Sequence, residues 1–128
     1  VVHPHCHHKA LFGSSAMMTL LNAIDGLETI ELDAGCCGMA GSFGYDHYDL
    51  SMRIGEDRLF PAARQYAGDQ ETAFIATGMS CRQQLADACG IRAYHWVEVV
   101  QGEASERAAN APQFGWNDSA IRCDGRRG

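Results

Sequence analysis

Four glycines at three-residue intervals, Gly35, Gly38, Gly41 and Gly44, bracket and follow the adjacent cysteines Cys36-Cys37, and this stretch limits what the chain can fold into. Glycine at that density costs too much backbone entropy for the interior of a helix or strand. The stretch is therefore read as a loop whose backbone can approach a bulky anionic centre and aim N–H groups at its sulfurs. Neither GxGxxG nor GxxxxGK[ST] occurs, so the glycines are no evidence for a nucleotide. Neighbouring side chains diverge, which makes Cys36 and Cys37 awkward ligands for one small tetrahedral ion and acceptable ones for a larger polynuclear cluster.

The segments on either side of this loop set the fold class. Thr29-Ile30-Glu31-Leu32 alternates like a strand and runs straight into it. Val1-Val2 reads as the end of a strand leading into a polar loop, His3-Pro4-His5-Cys6-His7-His8. A third strand, Thr72-Ala73-Phe74-Ile75-Ala76, is turned by Thr77-Gly78-Met79-Ser80 into a helix from Cys81 to Ala88. Between them, an apolar face through Ala16, Met17, Leu20, Leu21 and Ile24 predicts a helix capped by Ser14 or Ser15 and ended by Gly26. Another runs from Asp49 as cap through Leu50, Ile54, Leu59 and Ala63, with Pro61 kinking it or opening its last stretch. A short strand at Ala93-Tyr94 precedes a helical turn through Val97, Val99 and Val100. Strands alternating with helices at this pitch predict an α/β fold: a small parallel sheet with flanking helices. Ligands of such sheets gather beyond the carboxyl ends of the strands, where the cysteine-bearing loops are expected to meet. The expected division is one domain over residues 1–101 and a loosely ordered tail over residues 102–128.

Charge narrows the function. Ten basic against sixteen acidic residues leave a formal charge of −6, so no broad cationic surface is available for nucleic acid or anionic lipid. No apolar stretch approaches the roughly 18 to 20 residues of a membrane span, and the reading is of a cytoplasmic domain. The opening Val1-Val2-His3, without methionine, is read as a cut made inside a structural element of a longer protein.

In a reducing compartment six cysteines point to metal or redox chemistry more than to disulfides. Cys6, Cys36, Cys37 and Cys81 each follow a predicted strand, whereas Cys89 lies at a helix end and Cys123 in the tail. Cys89 sits eight residues beyond Cys81, a rise of about 12 Å on one helix, too far for both to bind one compact site. The position three residues after Cys81, where a second ligand would stand, holds Gln84. Four candidate thiolates remain, the number that holds a cubane or a two-iron cluster. Competing readings are small buried hydrophobes, a closed structural zinc site, and a metal-free thiol-redox pair, Cys36 and Cys37. Of His3, His5, His7 and His8, one or two at most can point inward around Cys6; His95 orients a ligand or packs. Met17, Met18, Met39 and Met52 are read as core, and Arg122, Arg126 and Arg127 as solvated.

At these residues the chain resembles a known family. His5-Cys6-His7, the block Asp33-Ala34-Gly35-Cys36-Cys37-Gly38-Met39-Ala40-Gly41-Ser42-Phe43-Gly44, and Gly78-Met79-Ser80-Cys81-Arg82-Gln83-Gln84 resemble the cysteine-rich CCG domain. That domain occurs in heterodisulfide reductase, in iron–sulfur subunits of glycolate oxidase and anaerobic glycerol-3-phosphate dehydrogenase, and at the carboxyl end of fused FAD-linked oxidases. The His-Cys-His-His opening and the Ser-Cys-Arg-x-Gln segment are most similar to the fused branch, which includes D-lactate and D-2-hydroxyglutarate dehydrogenase-like proteins. The resemblance covers about residues 1–100 and implies Cys6, Cys36, Cys37 and Cys81 as ligands of an iron–sulfur cluster, [4Fe–4S] in type. It also implies a flavin-binding partner domain or subunit that holds FAD, and electron relay from that flavin during oxidation of a 2-hydroxy acid. The family's Cys-x-x-Cys ending is here Cys81-Arg82-Gln83-Gln84, a departure that argues against the non-cubane cluster of heterodisulfide reductase and its disulfide-cleaving chemistry. No general acid or base is assigned, and because the chain lacks any flavin-binding signature and begins inside a structural element, it is expected not to oxidise 2-hydroxy acids alone.

Overall fold

The computed structural model describes residues 1–102. Of the tail expected over residues 102–128, all but Gly102 lies outside the described residues, Cys123 included. The elements in order are β1 (Val2–His3), α1 (Cys6–Phe12), α2 (Ser15–Asn22), α3 (Phe43–Asp46), α4 (Tyr48–Asp57), α5 (Leu59–Arg64), β2 (Phe74–Ala76), α6 (Met79–Cys89), β3 (Ala93–Tyr94) and α7 (Trp96–Val100). The expected α/β class holds: three parallel strands in the order β1-β2-β3, flanked by helices.

Register ties distant parts of the chain together. Val2 pairs with Ile75 and His3 with Ala76, while Phe74 pairs with Ala93 and Ile75 with Tyr94. The strand expected at Thr29–Leu32 shrinks to one parallel bridge, Val2 to Glu31, held by Val2 N–H to Ile30 O and Leu32 N–H to Val2 O. Its alternation does not mark a single buried face, because Leu32 is buried but Ile30 is 44% exposed.

Two apolar clusters hold the sheet. One joins Val2 and Ile75 to Met17 and Leu21 of α2. The larger gathers Leu59, Phe60 and Ala63 of α5, Leu85 and Ala88 of α6, Phe74 and Ala76 of β2, and Cys37 and Cys81. The expected apolar faces are only partly realised, since Leu20 and Leu50 are exposed. Helix breaks follow backbone chemistry: α4 and α5 separate at Arg58 (φ −144°), and Pro61 falls in the first turn of α5, where its missing N–H is not needed. Ser14 precedes α2 without capping it, because its hydroxyl donates to Glu31 Oε2 at 2.5 Å. His47, not Asp49, precedes α4.

Candidate metal centre

The ends of β1 and β2 each deliver part of the site. β1 ends at His3, and Cys6 follows as the first residue of α1, so the polar loop is shorter than its sequence implied. β2 ends at Ala76, and Cys81 follows in the first turn of α6. Cys36 and Cys37 lie past the Glu31 bridge, in a run with neither helix nor strand. The turns after β1 and β2 are stitched together, with the His5 N–H donating to Thr77 Oγ1 at 2.8 Å and Arg82 Nη1 to the Ala76 carbonyl at 3.0 Å.

The sulfurs meet in two pairs. The Cys6 thiol lies 3.9 Å from Cys36 Sγ, and the Cys81 thiol donates to Cys37. The pairs differ in setting: Cys6 is exposed and Cys36 half-buried, whereas Cys37 and Cys81 are buried in the larger core cluster. Adjacent in sequence, Cys36 and Cys37 thus turn to different partners. Electrostatic coupling links the pairs, since Cys36 feels Cys6 and Cys37, and Cys81 feels Cys6. Among the described residues, no three His, Cys, Asp or Glu side chains form a compact set around a single ion.

Protonation follows from these contacts. The hydrogen bond from Cys81 is the main cause that pulls the Cys37 thiol below its ordinary range, helped by the Met39 N–H and the Ser80 hydroxyl. The same bond, with burial, pushes the Cys81 thiol up, so the inner pair accepts one negative charge much more readily than two. Burial raises the Cys36 thiol, against the Gly38 N–H that reaches its sulfur at 3.4 Å.

Backbone shape accounts for two glycines. Gly38 has φ +91°, and a Cβ there would sit 2.2 Å from the Ser51 carbonyl oxygen. At Gly78 a Cβ would meet the His5 ring at 2.3 Å and Cys81 Sγ at 3.1 Å, so the turn after β2 must be bare to bring His5 and Cys81 together.

The structure gives several residues near the site roles that the sequence reading did not assign. Ser80 hydrogen-bonds Cys37 and Cys81; its place beside Cys81 in a strand-to-helix turn was the available signal. Gln84, which stands where a second cysteine was sought, is buried and donates to Ser51 Oγ at 2.9 Å. His3 is 2% exposed with neither ring nitrogen hydrogen-bonded, and burial pushes its imidazole down to about 4, helped by His5 and Lys9. His95 serves α7 as its cap, accepting the Val97 N–H while its own N–H donates to Glu98. Cys89 closes α6 and packs against the core, at the end of the helix remote from Cys81.

Comparison with known proteins gives this arrangement a lineage. The chain is 30% identical over 102 residues to one of the subunits of anaerobic glycerol-3-phosphate dehydrogenase from Escherichia coli strain K12, covering 78% of this chain and 25% of that protein. It is 30% identical over 99 residues to D-2-hydroxyglutarate dehydrogenase of the same strain (75% of this chain, 9% of that protein). Against the iron-sulfur subunit of glycolate oxidase from that strain it is 24% identical over 66 residues (52% and 15%). These relatives match the cysteine-rich CCG type of iron–sulfur domain, at low identity, and the resemblance read from the sequence holds. The chain spans a quarter or less of the length of these relatives. No family model matches it, and no solved structure matches it.

Proposed function

We propose that Cys6, Cys36, Cys37 and Cys81 hold an iron–sulfur cluster of the four-iron kind, and that residues 1–101 form the electron-relay domain of an FAD-linked 2-hydroxyacid dehydrogenase. Glycolate, D-lactate and D-2-hydroxyglutarate are the substrate types in view, a flavin-binding domain or subunit is the partner, and the setting is cytoplasmic. The observation that supports this reading is the presence of two thiol pairs, Cys6 with Cys36 and Cys37 with Cys81, drawn from three separate chain segments, two of which follow the neighbouring parallel strands β1 and β2. The relatives' names support it, one being an iron-sulfur subunit and another a D-2-hydroxyglutarate dehydrogenase.

The residues present fit such a group. Four soft thiol donors suit iron, and the Gly38 and Met39 N–H groups and the Ser80 hydroxyl are placed to stabilise negative charge on sulfur. When bound, the cluster supplies one-electron capacity between a flavin and its acceptor. The chain's own part is to orient the sulfurs, to keep Cys37 and Cys81 away from water, and to leave Cys6 at the surface. The test is anaerobic purification followed by iron, zinc and acid-labile sulfide analysis. Iron and sulfide in near-equal amounts support the reading; zinc without sulfide overturns it in favour of a structural zinc module.

A further inference from the structure

We propose that in the metal-free chain Cys6 is a modification site for a small disulfide such as glutathione disulfide, and that Cys36 resolves the adduct into an internal Cys6–Cys36 disulfide. The proposal takes the ligand role of these cysteines from the function above, and concerns what the same sulfurs do before the cluster is loaded.

Accessibility selects the entry point. Cys6 is exposed, whereas Cys37 and Cys81 are 2% and 1% exposed, leaving no room for a tripeptide disulfide to approach either sulfur in line. Distance selects the resolving group, since Cys36 Sγ already lies 3.9 Å from Cys6 Sγ. A disulfide needs about 2.05 Å, so the two sulfurs must close by roughly 2 Å. That movement meets little resistance. α1, which carries Cys6, has no buried residue, and Cys36 lies in a run without helix or strand. Pairing Cys36 with Cys37 instead would drag the buried Cys37 out of the core and away from Cys81.

The chemistry balances in two exchanges. The Cys6 thiolate attacks one sulfur of glutathione disulfide, the S–S bond breaks, and one glutathione leaves as thiolate and takes a proton. The Cys36 thiolate then attacks the Cys6 sulfur of the mixed disulfide and expels the second glutathione. The two electrons and two protons lost by Cys6 and Cys36 are carried away by two glutathione thiols. The product withdraws two of the four proposed ligands, so it locks the site against iron until a reducing thiol reopens it.

The experiment uses the reduced, metal-free full chain incubated with glutathione disulfide and read by intact mass and peptide mapping. The expected wild-type product has lost the two thiol hydrogens and contains a single linked pair, Cys6 to Cys36. Cys36→Ser is expected to retain glutathione on Cys6, and Cys6→Ser to gain neither a link to Cys36 nor an adduct on it. A link between Cys37 and Cys81, a link between Cys36 and Cys37, a persistent wild-type adduct or no reaction overturns the proposal. In a second arm, reduced and oxidised chains are supplied with iron and sulfide, and the oxidised form is expected to take up about tenfold less until a dithiol is added. If the disulfide forms but the reduced chain takes up no iron, the iron–sulfur reading fails while the thiol chemistry stands.

Discussion

The two sulfur pairs occupy different physical worlds. The inner pair, Cys37 and Cys81, belongs to the same buried cluster as Phe60 and Leu85, whereas the outer pair is attached to a helix without a buried residue and to a loop without regular structure. The inner sulfurs therefore contribute to the core, while the outer ones contribute little to it. In the proposed ligand set, half of the sulfurs are therefore tied to the core by packing and half are not.

The largest expected effect tests that asymmetry directly. Serine at Cys6, Cys36, Cys37 or Cys81 should each remove most of the iron and sulfide, because a hydroxyl is a poor ligand for iron. Denaturation of the metal-free variants should separate the pairs, with Cys37→Ser and Cys81→Ser losing about 1–3 kcal/mol by burying a more polar group. Cys6→Ser should stay within about 0.5 kcal/mol. Equal losses for Cys6→Ser and Cys81→Ser would break the comparison. Cys89→Ala, which touches the core but not the site, should keep its metal and lose about 1 kcal/mol.

Acid is the next lever. His3 is neutral in the fold, held down to about 4 from an ordinary 6.5, chiefly by burial. Below pH 6.5 the unfolded chain gains a proton that the folded chain refuses, so stability present above that pH is lost progressively as pH falls towards 4. The full loss is about 3 kcal/mol, and chemical denaturation of the metal-free chain against His3→Leu at each pH isolates it. Parallel profiles for the two proteins would show that the buried imidazole is not the sensor.

Gly78→Ala sharpens the comparison from the middle, since its methyl would press on both His5 and Cys81. A stability loss of about 1–3 kcal/mol is expected, with reduced iron content in the surviving folded protein. Gln84→Leu removes a buried donor to Ser51 and should cost about 1 kcal/mol with metal content unchanged. Smallest of all, Lys9→Met breaks the Lys9–Glu31 ion pair at the surface of α1 and should cost less than about 1 kcal/mol, falling further in high salt.

Sequence patterns disclosed the sheet better than the site's internal pairing. β2, α6 and β3 fall where apolar runs and turn residues place them, because those elements bury apolar side chains of their pattern; α7 also falls where expected, although it has no buried residue and Val97 and Val100 are exposed. α1 was hidden, since it has neither a buried face nor a side-chain cap to announce it. α3 was hidden by the glycines around it. At Glu31 a bridge stands in place of the expected strand, and its side chain is held by Lys9 and Ser14. Cys6 and Cys81 follow strands as expected, whereas Cys36 and Cys37 follow only the bridge at Glu31. Their division into Cys6 with Cys36 and Cys37 with Cys81 was not legible, because it depends on which way two neighbouring side chains turn, and that is decided by packing against α6.

The register of β1 has a consequence for biosynthesis. Val2 and His3 pair with Ile75 and Ala76, and the His5 N–H is held by Thr77, 72 residues further on. During translation Cys6 emerges from the ribosome long before the strand that seats it, and contacts of such separation in sequence form late in folding. Until β2 has been made, Cys6 has no fixed position relative to Cys81. On the proposed function, loading of the cluster follows synthesis of the domain, and the early Cys6 thiol has to stay reduced in the interval.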